Sequence, residues 1–186
     1  MTRGRPRNAP ILGTTRLEAL DRSTGELHEV LVSPEDLEFA SQFTLRVVRQ
    51  GDYIAVVTHL PTTYALSRGL RVGSTYALAS LILVSGTSVD HVNRNTLDNR
   101  RENLRSATAG EQSRNRYSIN ATSGFKGVRW RKDKARWQAR VKLNGRQVYS
   151  SMHREVADAA RAYDEAVKLH HGEFALTNED LGLLSV

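Results

Sequence analysis

Residues 126–170 constrain the fold more than any other stretch. Lys126–Trp130, Trp137–Leu143 and Gln147–Ser151 alternate in polarity at the period of a strand. Asn144-Gly145 marks a two-residue hairpin turn, since both residues accept the positive φ such a turn needs. The period then changes. Over His153–His170, Val156, Ala159, Ala160, Tyr163, Ala166 and Val167 recur at i, i+3, i+4 spacing, one apolar helix face. Its small alanines let the helix lie close on a sheet. His170-His171 end the helix, where cationic histidines favour the negative dipole end, so capping is the better reading than a metal site.

Upstream, residues 117–124 are small and polar and read as a linker. Residues 28–33 read as a strand. Ser33 then stands as N-cap of a helix, with Pro34 at its first position and Glu35 and Asp36 in its first turn. Residues 44–49 and 53–58 read as a hairpin turning at Gly51-Asp52. The apolar run 76–84 is a buried helix or a buried strand, and length alone does not decide. His28 and His59 carry no identifiable partner. This part is a small α+β platform with no chemistry of its own. At the N-terminus, Arg3-Gly4-Arg5-Pro6-Arg7 resembles an AT-hook core, which lies in a narrow minor groove; a plain basic tail is the other reading.

The chain has 186 residues, enough for one ordinary domain or two small ones. It has no cysteine, which removes disulfides, thiolate zinc sites and thiol chemistry and fits a reducing cytoplasm. No apolar run approaches the ~18 residues of a membrane span, and no secretory signal pattern follows the basic start. The net charge of +7 is uneven: residues 90–150 carry 15 Lys/Arg against 5 Asp/Glu. That excess, interleaved with Trp and Asn, is the footprint of a polyanion site rather than an ordinary solvated face.

The chemistry concentrates in Val89-Asp90-His91-Val92-Asn93 and Leu97-Asp98-Asn99-Arg100-Arg101-Glu102-Asn103-Leu104. Asp90 offers the hard oxygen that Mg²⁺ or Mn²⁺ prefers. His91 can accept a proton from water near neutral pH. Arg100, Arg101 and Arg105 can clamp neighbouring phosphates. Strand alternation would send Asp90 and His91 to opposite faces, so one site can use both only if the strand bends or ends there. Alone, the dipeptide is an ordinary strand end with a satisfied histidine. The downstream Asn-Leu and arginines in register set it apart.

Residues 89–116 resemble the HNH endonuclease family, in its phage and homing-type branch, through these residues together with Ala107-Thr108 and Asn115-Arg116. The resemblance implies a ββα-metal fold with one divalent cation. It gives Asn103 the task of fixing the loop and orienting the base. It places a second metal ligand at Gln112, with Asn115 one turn on as a substitute. Ala79-Ser80 stands where the family often has a His-Arg pair.

Residues 123–178 resemble the AP2/ERF DNA-binding domain. The resemblance rests on Ser123-Gly124-Phe125-Lys126-Gly127-Val128-Arg129-Trp130, on Trp137-Gln138-Ala139-Arg140-Val141 and on Asn144-Gly145-Arg146. Ala159–Ala166 and Gly172–Asn178 complete it. It implies a three-stranded antiparallel sheet backed by one helix, with the open sheet face in the major groove. Alternation puts Gly127, Arg129 and Arg131 on that face, with Gly127 allowing close backbone approach. Arg136, Gln138, Arg140 and Lys142 do the same on the second strand, and Arg146 and Tyr149 extend it. Arg114 and Lys126 join the expected DNA contacts. Trp137 is read as core, and Trp130 is left open.

The expected protein is thus α+β. It has a basic tail (1–10), an HNH domain with its platform (11–116), a linker (117–124), an AP2-like module (125–178) and a C-terminal tail (179–186). The expected activity is a cytoplasmic, homing-type DNA endonuclease acting on double-stranded DNA, with no membrane partner and its oligomeric state open. The rival is a catalytically degenerate HNH protein that binds DNA for regulation. RNA binding is a third reading.

Overall fold

The structure is a computed structural model that describes residues 15–50, 53–84 and 87–184. The 1–10 tail and the Gly51-Asp52 turn lie outside the described residues. The chain divides into two compact units between Ala107 and Thr108, upstream of the 117–124 stretch read as a linker.

The first unit runs β1 (Arg16–Asp21), β2 (Leu27–Val32), α1 (Pro34–Ser41), β3 (Leu45–Gln50), β4 (Tyr53–His59), α2 (Thr62–Ser67), β5 (Thr75–Ala77), α3 (Leu78–Leu83), β6 (Ser88–His91), β7 (Asp98–Asn99) and β8 (Leu104–Ala107). A six-stranded sheet has the order β5-β4-β3-β1-β2-β7, and β6 pairs with β8 in a separate ribbon. Within the large sheet, β1–β3 and β2–β7 are parallel, and β1–β2, β3–β4 and β4–β5 antiparallel. β1 has no counterpart in the sequence reading. Its alternation is present, Leu17 and Ala19 inside against Arg16 and Glu18 outside, but its last inward residue is Asp21. That carboxylate is buried because Ser23 N and Oγ and Arg49 Nε all donate to it. His28 sits at 4.0 Å from Asp21 and 3.9 Å from Glu26, so it has the partners its sequence context hid.

The run 76–84 is both strand and helix. Ala77 is extended, and Leu78, Ala79 and Ile82 then turn one helical face to the core. That core also gathers Leu17, Val30, Val32 and Leu45, with Phe43 edge-on to Phe39 at 5.1 Å and to Tyr64 at 5.4 Å. Ser33 precedes α1 as expected but makes no side-chain cap. Its hydroxyl instead accepts the Arg101 backbone N–H at 2.8 Å.

The second unit holds α4 (Ala109–Asn115), β9 (Val128–Arg131), β10 (Arg136–Leu143), β11 (Arg146–His153) and α5 (Val156–His171). The sheet is antiparallel in the order β11-β10-β9. Asn144 and Gly145 take φ of 50° and 78°, the primed turn their residue types favour. Val128, Ala139 and Val141 pack on Ala159, Ala160, Tyr163 and Val167 of α5. Residues 117–124 are held in place: Asn120 Oδ1 accepts the N–H groups of Thr122 and Ser123, and Gly124 N donates to Asn120 O.

Gly127 is where this packing is tightest. Its φ is +74°, and a Cβ there would lie 2.0 Å from the Tyr163 ring. Gly127→Ala is expected to destabilise the second unit by about 2–4 kcal/mol, from overpacking plus left-handed strain. Urea unfolding followed by the fluorescence of Trp130 and Trp137 measures it; a loss under about 0.5 kcal/mol would refute the packing argument.

Candidate functional site

β6 ends at His91, and the chain turns at once: Arg94 N donates to His91 O, with Arg94 at φ 65°. The ladder puts Asp90 opposite Arg105 and His91 opposite Leu104. Asp90 is buried at 8 % exposure. Arg105 holds its Oδ2 from Nε at 2.9 Å and from Nη2 at 2.7 Å. His91 Nε2 lies 3.4 Å from Asn99 Oδ1. Asn99 Nδ2 donates to Thr96 O, which fixes the amide so that its oxygen faces the histidine. With Nε2 as the donor in that contact, Nδ1 carries the basic lone pair. Burial lowers the His91 pKa, opposed by the Asn99 bond and by the charges of Asp90 and Asp98.

The loop from Val92 to Asn103 has little apolar surface to bury, and polar bonds shape it instead. Asn103 is buried at 5 % exposure. Its Oδ1 accepts Asn93 N at 2.9 Å and its Nδ2 donates to Asp98 O at 2.7 Å. Asn93 Nδ2 donates to Asp98 Oδ2. Asp98 and Asn99 also pair with Leu31 and Val32 as β7, tying the loop to the large sheet. Sequence reasoning gave Asn103 a loop-fixing task but assigned nothing to Asn93, Asp98 or Asn99. Tyr53, also unmarked by any sequence pattern, has its pKa raised by partial burial and by the charge of Asp90.

The three expected phosphate clamps are held by carboxylates. Arg100 forks onto Asp98 at 2.8 Å through both Nε and Nη2 and reaches Glu102 at 2.9 Å. Arg101 forks onto buried Asp36 of α1 at 2.7 Å. Arg105 holds Asp90. For Arg100 and Arg101 a protein carboxylate supplies the planar, bidentate partner that a phosphate was expected to be, and Arg105 puts two donors on one oxygen of Asp90.

The expected second metal ligand, Gln112, lies in α4 of the second unit, as does Asn115. Thr108 and Glu111 close a capping box on that helix. Among the described residues no group of three or more His, Cys, Asp or Glu gathers in a metal-binding cluster.

In the second unit several expected DNA contacts have structural partners. Lys126 is 8 % exposed, and its Nζ donates to Arg114 O at 2.7 Å and Arg116 O at 3.0 Å. It caps α4 from inside rather than facing a groove. Gly127 admits the Tyr163 ring, not a DNA backbone. Tyr149 packs against the α5 side of the sheet. Arg129 Nε and Ser150 Oγ both bond Gln138, Arg131 forks onto Asp133, and Arg114 Nη2 reaches Asn144 Oδ1. Arg136 bonds only the neighbouring Ala135 O, while Arg140, Lys142 and Arg146 have no side-chain partner among the described residues. Trp137 stacks edge-on with Trp130 at 5.0 Å. His171 does not cap its own helix; its Nε2 bonds Lys142 O at 2.8 Å.

Residues 85–114 match the HNH endonuclease family. "Protein 3.8" of Escherichia phage T7 is 31 % identical over 91 residues, covering 48 % of this chain and 74 % of that protein. No solved structure matches the chain. No helix among the described residues is long and apolar enough to cross a membrane.

The Asp98–Arg100 pair makes stability depend on acid. The Arg100 hydrogen bonds hold Asp98 below its ordinary carboxylate range. The stabilisation is complete above the unfolded value of about 3.9 and is lost as pH falls through the lower folded value. Arg100→Ala removes the main cause. Its urea midpoint should be lower than wild type at pH 6 and change less steeply between about pH 4 and pH 2. Parallel curves for the two proteins would show that Asp98 is not held this way.

Proposed function

We propose that this chain, which belongs to the same family as Protein 3.8 of Escherichia phage T7, is a homing-type DNA endonuclease that cuts with its HNH segment and is positioned by an AP2-like second unit. One observation carries the reading: an acid and a histidine at the end of β6, beside a polar loop fixed by Asn103, inside a segment that matches the HNH endonuclease family. His91 acts as general base through Nδ1, with Asn99 holding Nε2 in the donor tautomer. Its lowered pKa keeps it neutral at pH 7, the form that accepts a proton. Asn103 is a positioning residue that sets the loop carrying Asn93 and Asp98.

Asp90 supplies the oxygen chemistry of a Mg²⁺ or Mn²⁺ site, where one carboxylate plus substrate phosphate oxygens is a common donor set. When bound there, the cation stabilises charge on the phosphate and on the departing oxygen. Arg105 competes for the same Asp90 Oδ2. Duplex DNA is the proposed substrate. The sheet's partnerless Arg140, Lys142 and Arg146 are its proposed contacts in the second unit, and they are the positions where backbone contact adds affinity without sequence information.

The Asp90–Arg105 pair also favours a second reading, a DNA-binding protein whose HNH centre no longer cuts. Supercoiled plasmid with Mg²⁺ or Mn²⁺ separates the two. Wild type should nick or linearise it, and His91→Ala should slow the reaction by about 10²–10⁴-fold. The wild-type rate should rise with pH through a midpoint below histidine's ordinary value of about 6.5 and then level off, because protonated His91 cannot accept a proton. Absence of cutting with either metal, or equal rates for the variant, would sink the nuclease reading.

A further inference from the structure

A second basic feature lies wholly within the second unit. A cavity of about 630 Å³ opens between α4, the chain just before β9 and the end of β10, lined by Arg114, Arg116, Lys126, Arg140, Lys142 and His171 with smaller neighbours. Among the described residues no Asp or Glu lines it. These one-signed walls contrast with Arg100, Arg101, Arg105 and Arg131, each of which lies against a carboxylate.

Only some of these donors are spent within the protein. Lys126 and Arg114 are committed, to the carbonyls of Arg114 and Arg116 and to Asn144. Arg116, Arg140 and Lys142 have no side-chain hydrogen bond or ion pair among the described residues. Arg140 is half-buried, and both burial and nearby Arg129 work against its charge. Gathering cations in a concave, partly desolvated place costs free energy unless an anion compensates. His171 adds an independent sign. Its Nε2 donates to Lys142 O, and its buried Nδ1 has no partner. Buried polar atoms are rarely left so. This nitrogen is satisfied either by a ligand hydroxyl or, in protonated form, by donating to a ligand oxygen.

We propose that this cavity is a phosphate-binding pocket, with Arg116, Arg140 and Lys142 as its donors. Tetrahedral oxyanions match forked guanidinium donors and a point-charge ammonium. The volume accommodates a phosphodiester step of a nucleic-acid strand, or a free phosphoryl compound of nucleotide size. The pocket stands on its own lining residues; only the strand as the source of phosphate rests on the nucleic-acid reading above.

The test uses the full chain in EDTA, so that no cleavage enters the measurement. Calorimetry is run with pyrophosphate, with ADP and with a 16-base-pair duplex. Arg140→Ala, Arg116→Ala and the surface change Lys142→Gln are compared with Arg161→Ala, which removes an equal charge from the outer face of α5. Circular dichroism checks that each variant is folded, and Lys142→Gln keeps the test valid if an arginine variant fails to fold. Each cavity variant should weaken at least one phosphate probe by tenfold or more, and Arg161→Ala by less than twofold. If the source is a strand, the duplex is the probe affected, and each lost contact lowers the slope of log affinity against log salt by about 1. If the source is a free phosphoryl group, pyrophosphate and ADP are the probes affected. Equal weakening by Arg161→Ala and the cavity variants, or no response of any probe to the cavity variants, overturns the proposal. The plasmid assay reads cutting and its loss in His91→Ala, whereas this one reads binding without metal, so the pocket and the cutting activity fail separately.

Discussion

The candidate site depends on a single amide. Between His91 and Asn103 the chain has too few apolar side chains to hold a loop by burial, and an unpaired buried peptide group costs about 1–3 kcal/mol. Asn103 meets this by serving as a surrogate peptide: its oxygen takes the Asn93 N–H and its nitrogen gives to the Asp98 carbonyl. Once those bonds are made, Asp98 and Asn99 are in register with β2. Asn99 is thereby placed to meet His91. The acceptor that meets the histidine thus rides on β7 of the six-stranded sheet. A hydrophobic residue at 103 would bury as well but could not bond both ways.

Charge is where local sequence and folded structure diverge. The sequence shows arginines crowded near an acid and a histidine, and the nearest use for them is phosphate. In the fold each finds a carboxylate. Asp98 lies two residues from Arg100, Asp90 lies across a ladder from Arg105, and Asp36 lies 65 residues from Arg101. The first two are readable only when turn and register are known, and the third only when α1 is placed. Arg101 joins Ser33 and Asp36, so the helix start that lacks its own cap is tied to the nuclease-like loop instead.

What was legible in the sequence had a strong local cause. The Asn144-Gly145 turn, the alternation of β10 and the alanine face of α5 each follow from short-range stereochemistry and burial, and the structure has them all. The split of residues 76–84 into β5 and α3 was not legible, because an apolar run buries equally well in either form. β1 was missed because its inward Asp21 breaks the pattern, and only Ser23 and the distant Arg49 make that burial tolerable. The match of residues 85–114 to HNH endonucleases agrees with the motif read from Asp90, His91 and Asn103. The tasks of Asn93 and Asn99 needed the folded loop to be seen.

The second unit shows how one polar network can decide which basic residues remain for a ligand. Asp164 is 5 % exposed and accepts Asn178 N and Nδ2 through Oδ1 and Glu179 N through Oδ2. Asn178, fully buried, passes the chain of bonds on to the backbone of Lys126. This anchors α5, the C-terminal turn and the start of β9 together without apolar surface. With its backbone fixed there, the Lys126 side chain reaches the end of α4 and is used up as a cap. Gly127, next in the chain, must then admit the Tyr163 ring. Lys126 and Gly127, both expected among the DNA contacts, are therefore taken up by the fold itself. Among the described residues, the cations left without side-chain partners here include Arg116, Arg140, Lys142 and Arg146. In this unit the structural requirements of a small core determine where an anion can be held.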